Sequence, residues 1–256
     1  MGKQHRLAER RQAILSALEE AGQLSVAALS ARFDVSQVTI RTDLQALSQQ
    51  GLLLRTRGGA LATSVVPELS FDVRQQQHAE QKARIGYRAA QMVRDGDTIA
   101  LDASTTALAI IPHIKHLHEL TVVTNSLKAA LGLLSAGHVH VILPGGSLRR
   151  ESISLVGQSS DDLLQGIHVR TGFFGARGLS VEEGLTDVNL EEVKTKRALI
   201  ACCQQVVAVI DNRKWGQVAT TTFADLARIH AVITDESAPR NLVEEVRARG
   251  VEVFVV

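Results

Sequence analysis

A short run of hydroxyl side chains has the composition of an anion-binding loop. The residues are Asp102-Ala103-Ser104-Thr105-Thr106, and they follow the β-branched stretch Thr98–Leu101 where a helical pattern begins. The first turn of a helix offers free backbone N–H groups and a positive dipole end, which attract a phosphate group. The hydroxyls add hydrogen bonds, and Asp102 can accept one from a sugar hydroxyl. We therefore predict a phosphorylated-sugar site here, with an ordinary capped helix as the alternative.

Polar or turn-forming residues also end other predicted strands. In an open α/β sheet, ligands bind beyond the carboxyl ends of the strands, so residues at these ends are predicted to converge on one site. Turns and helix caps use the same residue types, and that alternative stays open. The residues concerned are Asp102, Thr124, Asn125, Pro144, Gly145, Gly146, Asp211 and Asp235.

Two lysines, Lys196 and Lys214, are predicted to neutralise the charge of the ligand, with plain surface charge as the alternative.

The competing class is a sugar-phosphate isomerase or hydrolase, in which Asp102, Asp187 or Glu191 acts as general base and Lys196 stabilises an enediolate. The sequence has no nucleotide-binding glycine motif, no nucleophile-histidine-acid spacing and no metal cluster among its 9 histidines. We predict no catalytic residues, no metal and no cofactor.

A second group of side chains is suited to the major groove of DNA. Ile40, Leu44 and Leu47 recur at helical spacing and define a buried stripe, and Ser36 can cap the helix that carries them. The outward face and its flanks offer donors and acceptors that match base edges, with Asp43 at the margin. The predicted DNA contacts on this helix are Ser36, Gln37, Val38, Thr39, Arg41, Thr42 and Gln45.

The surrounding elements predict a winged helix-turn-helix domain over residues 1–60. A first helix ends at Ala21-Gly22, and Ser25 caps a short second helix before the one described above. A strand and a glycine turn follow this helix. We predict that Arg55, Arg57 and Gly58 contact the DNA backbone. The alternative is a helical protein-interaction module. The predicted partner is double-stranded operator DNA.

The rest of the chain alternates short β-branched runs with helical stretches, which favours a largely parallel sheet flanked by helices. We predict a linker at 61–80 and an effector-binding α/β domain at 81–256. The predicted strands are 98–101, 121–123, 139–143, 206–210, 231–234 and 251–256.

Composition excludes several classes of protein. No apolar run approaches the ~18 residues of a membrane span, so we expect a cytoplasmic protein without a membrane partner. Aromatic residues make up 3% of the chain, too few for platforms that stack single-stranded bases. Cys202 and Cys203 lack redox or zinc spacing and are predicted to be plain buried thiols. Residues 1–64 hold eight basic and five acidic side chains, a modest excess that suits phosphate contacts.

The sequence resembles the DeoR-type family of bacterial sugar-metabolism repressors. VSQVTIRTDL at 35–44 and RTRGGA at 55–60 are similar to the family signature V-S-x-x-T-I-R-R-D-L followed by R-x-H-G-G-A. Residues 102–106 resemble D-x-G-[ST]-T, residues 124–126 match T-N-S, and 145–146, 184–186 and 211–214 follow in family order. The resemblance implies a C-terminal domain resembling ribose-5-phosphate isomerase, which binds phosphorylated sugars at 102–106, Asn125, the Gly145 turn and Lys214. It also implies a repressor that ligand releases from DNA, with an activator as the alternative.

Five positions depart from the family pattern. Thr42 stands in place of a second arginine, and Arg57 in place of histidine, which affects base preference. Ser104 replaces the loop glycine, Arg213 replaces a small hydroxyl residue, and Lys194 replaces an acid. We predict that the extra positive charge at Lys194 or Arg213 favours a more acidic ligand.

Helix-turn-helix proteins usually bind paired half-sites, so we expect a dimer or tetramer of this chain. Ligand and DNA are predicted to favour different arrangements, so that each weakens binding of the other by one coupling energy of ~1–3 kcal/mol.

Overall fold

The computed structural model describes residues 2–49, 53–56, 58–61, 70–157, 164 and 166–256. The chain divides into two compact units, Met1–Leu69 and Ser70–Val256. The predicted linker at 61–80 overlaps the second unit from Ser70 onward, where Phe71 is 1% exposed and starts a helix. No helix among the described residues is both long and apolar enough to cross a membrane.

The first unit is a winged helix-turn-helix. Three helices and a small antiparallel sheet in the order β1-β3-β2 form it. Their bounds are α1 Gly2–Ala21, β1 Gln23–Ser25, α2 Val26–Phe33, α3 Gln37–Gln49, β2 Leu54–Arg55 and β3 Gly59–Leu61.

Local side-chain chemistry sets the ends of these helices, as the sequence predicts. Ser25 Oγ accepts a hydrogen bond from Ala28 N at 3.1 Å and starts α2. Ser36 Oγ accepts one from Thr39 N at 3.1 Å and starts α3. Gly22 ends α1 with a φ of 71°, a left-handed conformation that glycine adopts without steric cost.

The second unit is built on a seven-stranded, wholly parallel sheet in the order β15-β14-β12-β9-β4-β5-β6. The chain runs outward from β4 to β6 on one side and from β9 to β15 on the other. The topological switch point therefore lies between β4 and β9. Strand bounds are β4 Thr98–Leu101, β5 Thr121–Thr124, β6 His140–Ile142, β9 Val169–Phe174, β12 Cys203–Val209, β14 Ala231–Thr234 and β15 Glu252–Val255.

Helices and two smaller sheets surround this sheet. An antiparallel hairpin joins β7 Ser147–Arg149 to β8 Ser154–Val156, and a three-stranded sheet joins β10 Gly178–Ser180, β11 Gly184–Asp187 and β13 Thr221–Ala224. The helices are α4 Phe71–Gln76, α5 Ala79–Ala90, α6 Thr105–Leu108, α7 Ile111–Ile114, α8 Leu127–Leu133, α9 Leu190–Ala201 and α10 Arg240–Ala248, with 3-10 turns at Asn212–Lys214 and Leu226–Arg228.

Neighbouring residues of the central strands face two separate hydrophobic cores. Phe174 lies in the core with Leu199 of α9, whereas Phe173 lies in the core with Ile85 of α5. Both phenylalanines are 0% exposed. Burial on both faces explains why the strands of a parallel sheet read as continuous apolar runs.

Candidate functional site

The outward face of α3 is exposed as its helical period predicts. Ile40 and Leu44 are 0% exposed, and Val38 on the opposite face is 68% exposed. Thr39 is half-buried on the flank. The remaining predicted contacts of this segment, Ser36, Gln37, Arg41, Thr42 and Gln45, are exposed. Their place on one free helix face is the arrangement that a recognition helix needs.

Asp43 is buried, although the sequence predicts it at the margin of that face. It is 1% exposed, and its carboxylate accepts hydrogen bonds from Arg10 Nε at 2.7 Å and Arg11 Nε at 2.9 Å. A buried carboxylate needs such partners, and α1 provides them. Spacing along α3 could not reveal this because both arginines lie more than 30 residues away.

The wing, formed by β2 and β3, requires a close backbone approach at Gly59. A Cβ there would lie 2.1 Å from the carbonyl oxygen of Leu24 on β1, so only glycine fits without a shift. Val26 N donates to Gly58 O at 2.8 Å, which ties the turn to α2. Arg55 and Gly58 are exposed, as a backbone contact requires, and the predicted contact Arg57 lies outside the described residues.

Asp102 lies at the switch point and is bonded to the protein through both oxygens. Ser104 N donates to Oδ1 at 3.0 Å, and Gly175 N donates to Oδ2 at 3.0 Å. Lys196 Nζ is 3.1 Å from the same Oδ2. The carboxylate therefore holds the loops after β4 and β9 together, a different role from the predicted bond to a sugar hydroxyl.

Lys196 also donates hydrogen bonds to groups of the protein. Its Nζ donates to Asp187 Oδ2 at 2.7 Å and to the carbonyl oxygen of Gly175 at 2.8 Å. Burial by itself would lower the pKa of Lys196, but the carboxylates of Asp187 and Asp102 outweigh it and raise the pKa. Lys196 thus neutralises two buried carboxylates, and its predicted contact with a ligand stays a prediction.

The hydroxyl residues of the loop form the start of α6. Ser104 Oγ accepts a hydrogen bond from Ala107 N at 3.1 Å and serves as the helix cap. Ala103, Thr105 and Thr106 are 4%, 7% and 6% exposed. The loop is packed closely, since a Cβ on Gly175 would lie 2.4 Å from the Ser104 side chain.

A polar cluster that the sequence analysis missed lies beyond β5. Glu192 of α9 is 5% exposed, and its Oε1 accepts hydrogen bonds from Ser152 and Ser154, each at 2.5 Å. Arg149 Nη1 lies 3.6 Å from the same oxygen. Asn125 Nδ2 donates to Glu192 Oε2 at 3.4 Å. The buried glutamate thereby fixes the β7–β8 hairpin beside predicted site residue Asn125.

Asn125 itself is 0% exposed, and its Oδ1 has no hydrogen-bond partner among the described residues. Gly145 and Gly146 have φ values of 83° and 116°, which side chains rarely adopt. A Cβ on Gly146 would lie 2.5 Å from the carbonyl oxygen of Val156, so the glycine pair closes the hairpin.

Lys214 differs from Lys196 in its partners among the described residues. It is half-buried after β12 and makes no ion pair with a carboxylate of the described residues. Burial, together with the positive charges of Arg213, Arg177 and Arg74, lowers its pKa to about 8 against the opposing effect of Asp211. An anion that binds beside such a lysine stabilises its protonated form.

Neighbouring carboxylates pair with the two extra cations, Lys194 and Arg213. Lys194 Nζ is paired with Glu191 Oε1 at 2.9 Å, and its side chain is 70% exposed. Arg213 donates through Nε and Nη2 to both oxygens of Asp211, at 3.1 and 2.9 Å. Each charge is balanced by a neighbouring carboxylate, so neither is evidence for a more acidic ligand.

Known families match both units of the chain. The DeoR-like helix-turn-helix domain matches residues 10–65, and the DeoR C terminal sensor domain matches residues 77–236. The chain belongs to the DeoR family of transcription regulators. This membership confirms the family resemblance, and the expectation that the chain is not an enzyme is confirmed with it.

Relatives match along most of their length. The HTH-type transcriptional regulator YgbI of Escherichia coli (strain K12) is 40% identical over 93% of this chain and 94% of its own. The HTH-type transcriptional regulator GolR of Listeria innocua is 35% identical over 96% and 98%. The glycerol-3-phosphate regulon repressor of Escherichia coli (strain K12) is 30% identical over 92% and 94%.

Among solved structures, ribose 5-phosphate isomerase A from Methanocaldococcus jannaschii matches with a TM-score of 0.41 and 15% identity, over 54% of this chain and 55% of that one.

Proposed function

We propose that this DeoR-family regulator represses a carbohydrate-metabolism operon and is released from its operator by a phosphorylated sugar bound at the carboxyl edge of the parallel sheet. The observation that carries the proposal is the half-buried Lys214, whose lowered pKa and lack of a described carboxylate partner suit an anionic ligand. The protein would act in the cytoplasm as a dimer or tetramer.

The ion pairs at the carboxyl edge of the parallel sheet support Lys214 as the residue that binds the ligand's charge. Lys196 is paired with Asp102 and Asp187, and Arg213 is paired with Asp211. Lys214 is surrounded by further cations, which favour a ligand that carries more than one negative charge, as a phosphate monoester does at neutral pH. The hydroxyls of Thr105 and Thr106 and the amide of Asn125 supply neutral hydrogen-bonding groups for the rest of a sugar.

The names of relatives support repression, and one of them names a phosphorylated metabolite. One relative is the glycerol-3-phosphate regulon repressor, and another, 34% identical, is the HTH-type transcriptional repressor GlcR of Bacillus subtilis. A putative aga operon transcriptional repressor of Escherichia coli O157:H7 is 32% identical.

A route for the ligand signal begins at α4, the first helix of the second unit along the chain. Arg74 Nη2 donates to the carbonyl oxygen of Glu151 in the β7–β8 turn at 2.9 Å. Arg213 Nη1 donates to Gln77 Oε1 at 3.3 Å. A ligand that attracts the cations around Lys214 would act on the same contacts that hold α4.

The test is fluorescence anisotropy on tiled duplexes from upstream of the gene, with and without a panel of sugar phosphates. We expect one tile to bind tightly and one sugar phosphate to weaken that binding. Lys214→Met should bind the tile as the wild type does but lose the response, whereas Lys194→Met should keep both because Lys194 is exposed and paired with Glu191. A full response in Lys214→Met would refute the assigned anchor, and no response to any sugar phosphate would refute the ligand class.

A further inference from the structure

Two arginines of α1 share one buried carboxylate of α3. Arg10 Nε donates to Asp43 Oδ2 at 2.7 Å, and Arg11 Nε donates to Oδ1 at 2.9 Å. The Asp43 side chain is 2% exposed, whereas those of Arg10 and Arg11 are 20% and 24% exposed. The carboxylate is therefore shielded, while both arginine side chains are partly exposed.

Each guanidinium group is held through a single nitrogen. No Nη atom of Arg10 or Arg11 has a hydrogen bond to a residue in the described part of the chain. Because a guanidinium group has five N–H donors in a rigid plane, the Nη donors of each arginine remain available. Two positive charges also face one negative charge, which leaves the group cationic.

The position of the pair suits the backbone of a duplex. Asp43 follows Arg41 and Thr42 in α3 but lies beside the buried stripe, so Arg10 and Arg11 flank the outward face rather than belong to it. Contacts beside a groove reach phosphates, and these contacts fix the register of a recognition helix. An arginine can donate two parallel hydrogen bonds to one phosphate.

We propose that Arg10 and Arg11 bind phosphates of the DNA backbone and that Asp43 is the residue that positions them. The proposal adds contacts on α1 to those predicted on α3 and the wing. It rests on DNA binding by the helix-turn-helix domain and is independent of the effector proposed above.

The salt dependence of DNA binding tests the arginines. Each phosphate contact contributes ~0.9 to the slope of log K against log salt concentration. With a mixed-sequence duplex and fluorescence anisotropy, Arg10→Gln and Arg11→Gln should each reduce that slope by about 1 and weaken binding about tenfold at the lowest salt concentration. Arg249→Gln, at an exposed position of the second unit, is the matched control and should leave the slope unchanged.

Asp43→Asn tests the positioning role because two explanations predict opposite changes in DNA affinity. The substitution makes the domain more positive, so a role through charge alone would strengthen DNA binding. Loss of positioning would weaken it, and we expect about a fivefold to tenfold weaker affinity, within the ordinary range for one lost hydrogen bond.

Thermal melting of each variant is monitored by circular dichroism alongside each titration, so that only folded variants are compared. A purely structural ion pair would lower the melting temperature of the arginine variants without moving their salt slopes, and that result overturns the phosphate site. Affinity of Asp43→Asn equal to or tighter than wild type overturns the positioning role.

Discussion

Binding of a phosphorylated sugar is expected to weaken as the pH rises past 8, because its anchor must carry a proton. Burial and three neighbouring arginines lower the pKa of Lys214 to about 8 in the free protein. A bound phosphate favours the charged lysine and raises its pKa, so binding takes up a proton above pH 8. The affinity should fall roughly tenfold between pH 7 and pH 9.

Isothermal titration calorimetry at pH 7, 8 and 9 measures both the affinity and the proton uptake, the latter from buffers of different ionisation enthalpy. Lys214→Met should bind more weakly and show little change across this range. Lys82→Met is the informative comparison, since burial lowers the pKa of Lys82 to about 8 as well, but its Nζ donates to the Arg74 carbonyl oxygen. That variant should keep the pH dependence. Equal wild-type affinity at pH 7 and pH 9 would refute the reasoning.

Three substitutions test other parts of the molecule. Arg41→Ala should weaken operator binding by about 1–3 kcal/mol and relax base preference, because an exposed arginine of a recognition helix can read guanine; equal losses on operator and mixed-sequence duplexes would contradict base reading. Lys196→Met leaves Asp102 without a cation partner among the described residues and leaves Asp187 with Arg177 alone. It should lower the free energy of unfolding by about 3–5 kcal/mol in urea titrations, so a loss under about 1 kcal/mol would count against the ion-pair network. Gly59→Ala should lower the melting temperature because its Cβ meets the backbone of β1, whereas Gly58→Ala has open space and should not; equal melting temperatures would refute the close approach.

Local patterns predict the first unit well because each helix is defined by neighbours in sequence. The buried stripe of Ile40, Leu44 and Leu47 gives the orientation of α3, and Ser25 and Ser36 mark where helices begin. All six predicted strands of the second unit are present in the main sheet.

Features set by distant contacts could not be predicted in the same way. The central strand β9 was missed because Arg170 and Gly172 interrupt its apolar run, and pairing with β4 and β12 defines it instead. The charge partners of Asp43 and Lys196 lie on other elements, so spacing alone suggested a helix margin for the first and a ligand contact for the second.

The central claim is that one sugar phosphate and the operator oppose each other through a single coupling energy. The most direct test is a pair of titrations on wild-type protein: operator affinity with saturating sugar phosphate, and sugar-phosphate affinity with saturating operator. We predict that both affinities fall by the same factor, roughly 5-fold to 150-fold. Operator affinity that is unchanged by a sugar phosphate known to bind Lys214 would contradict the account.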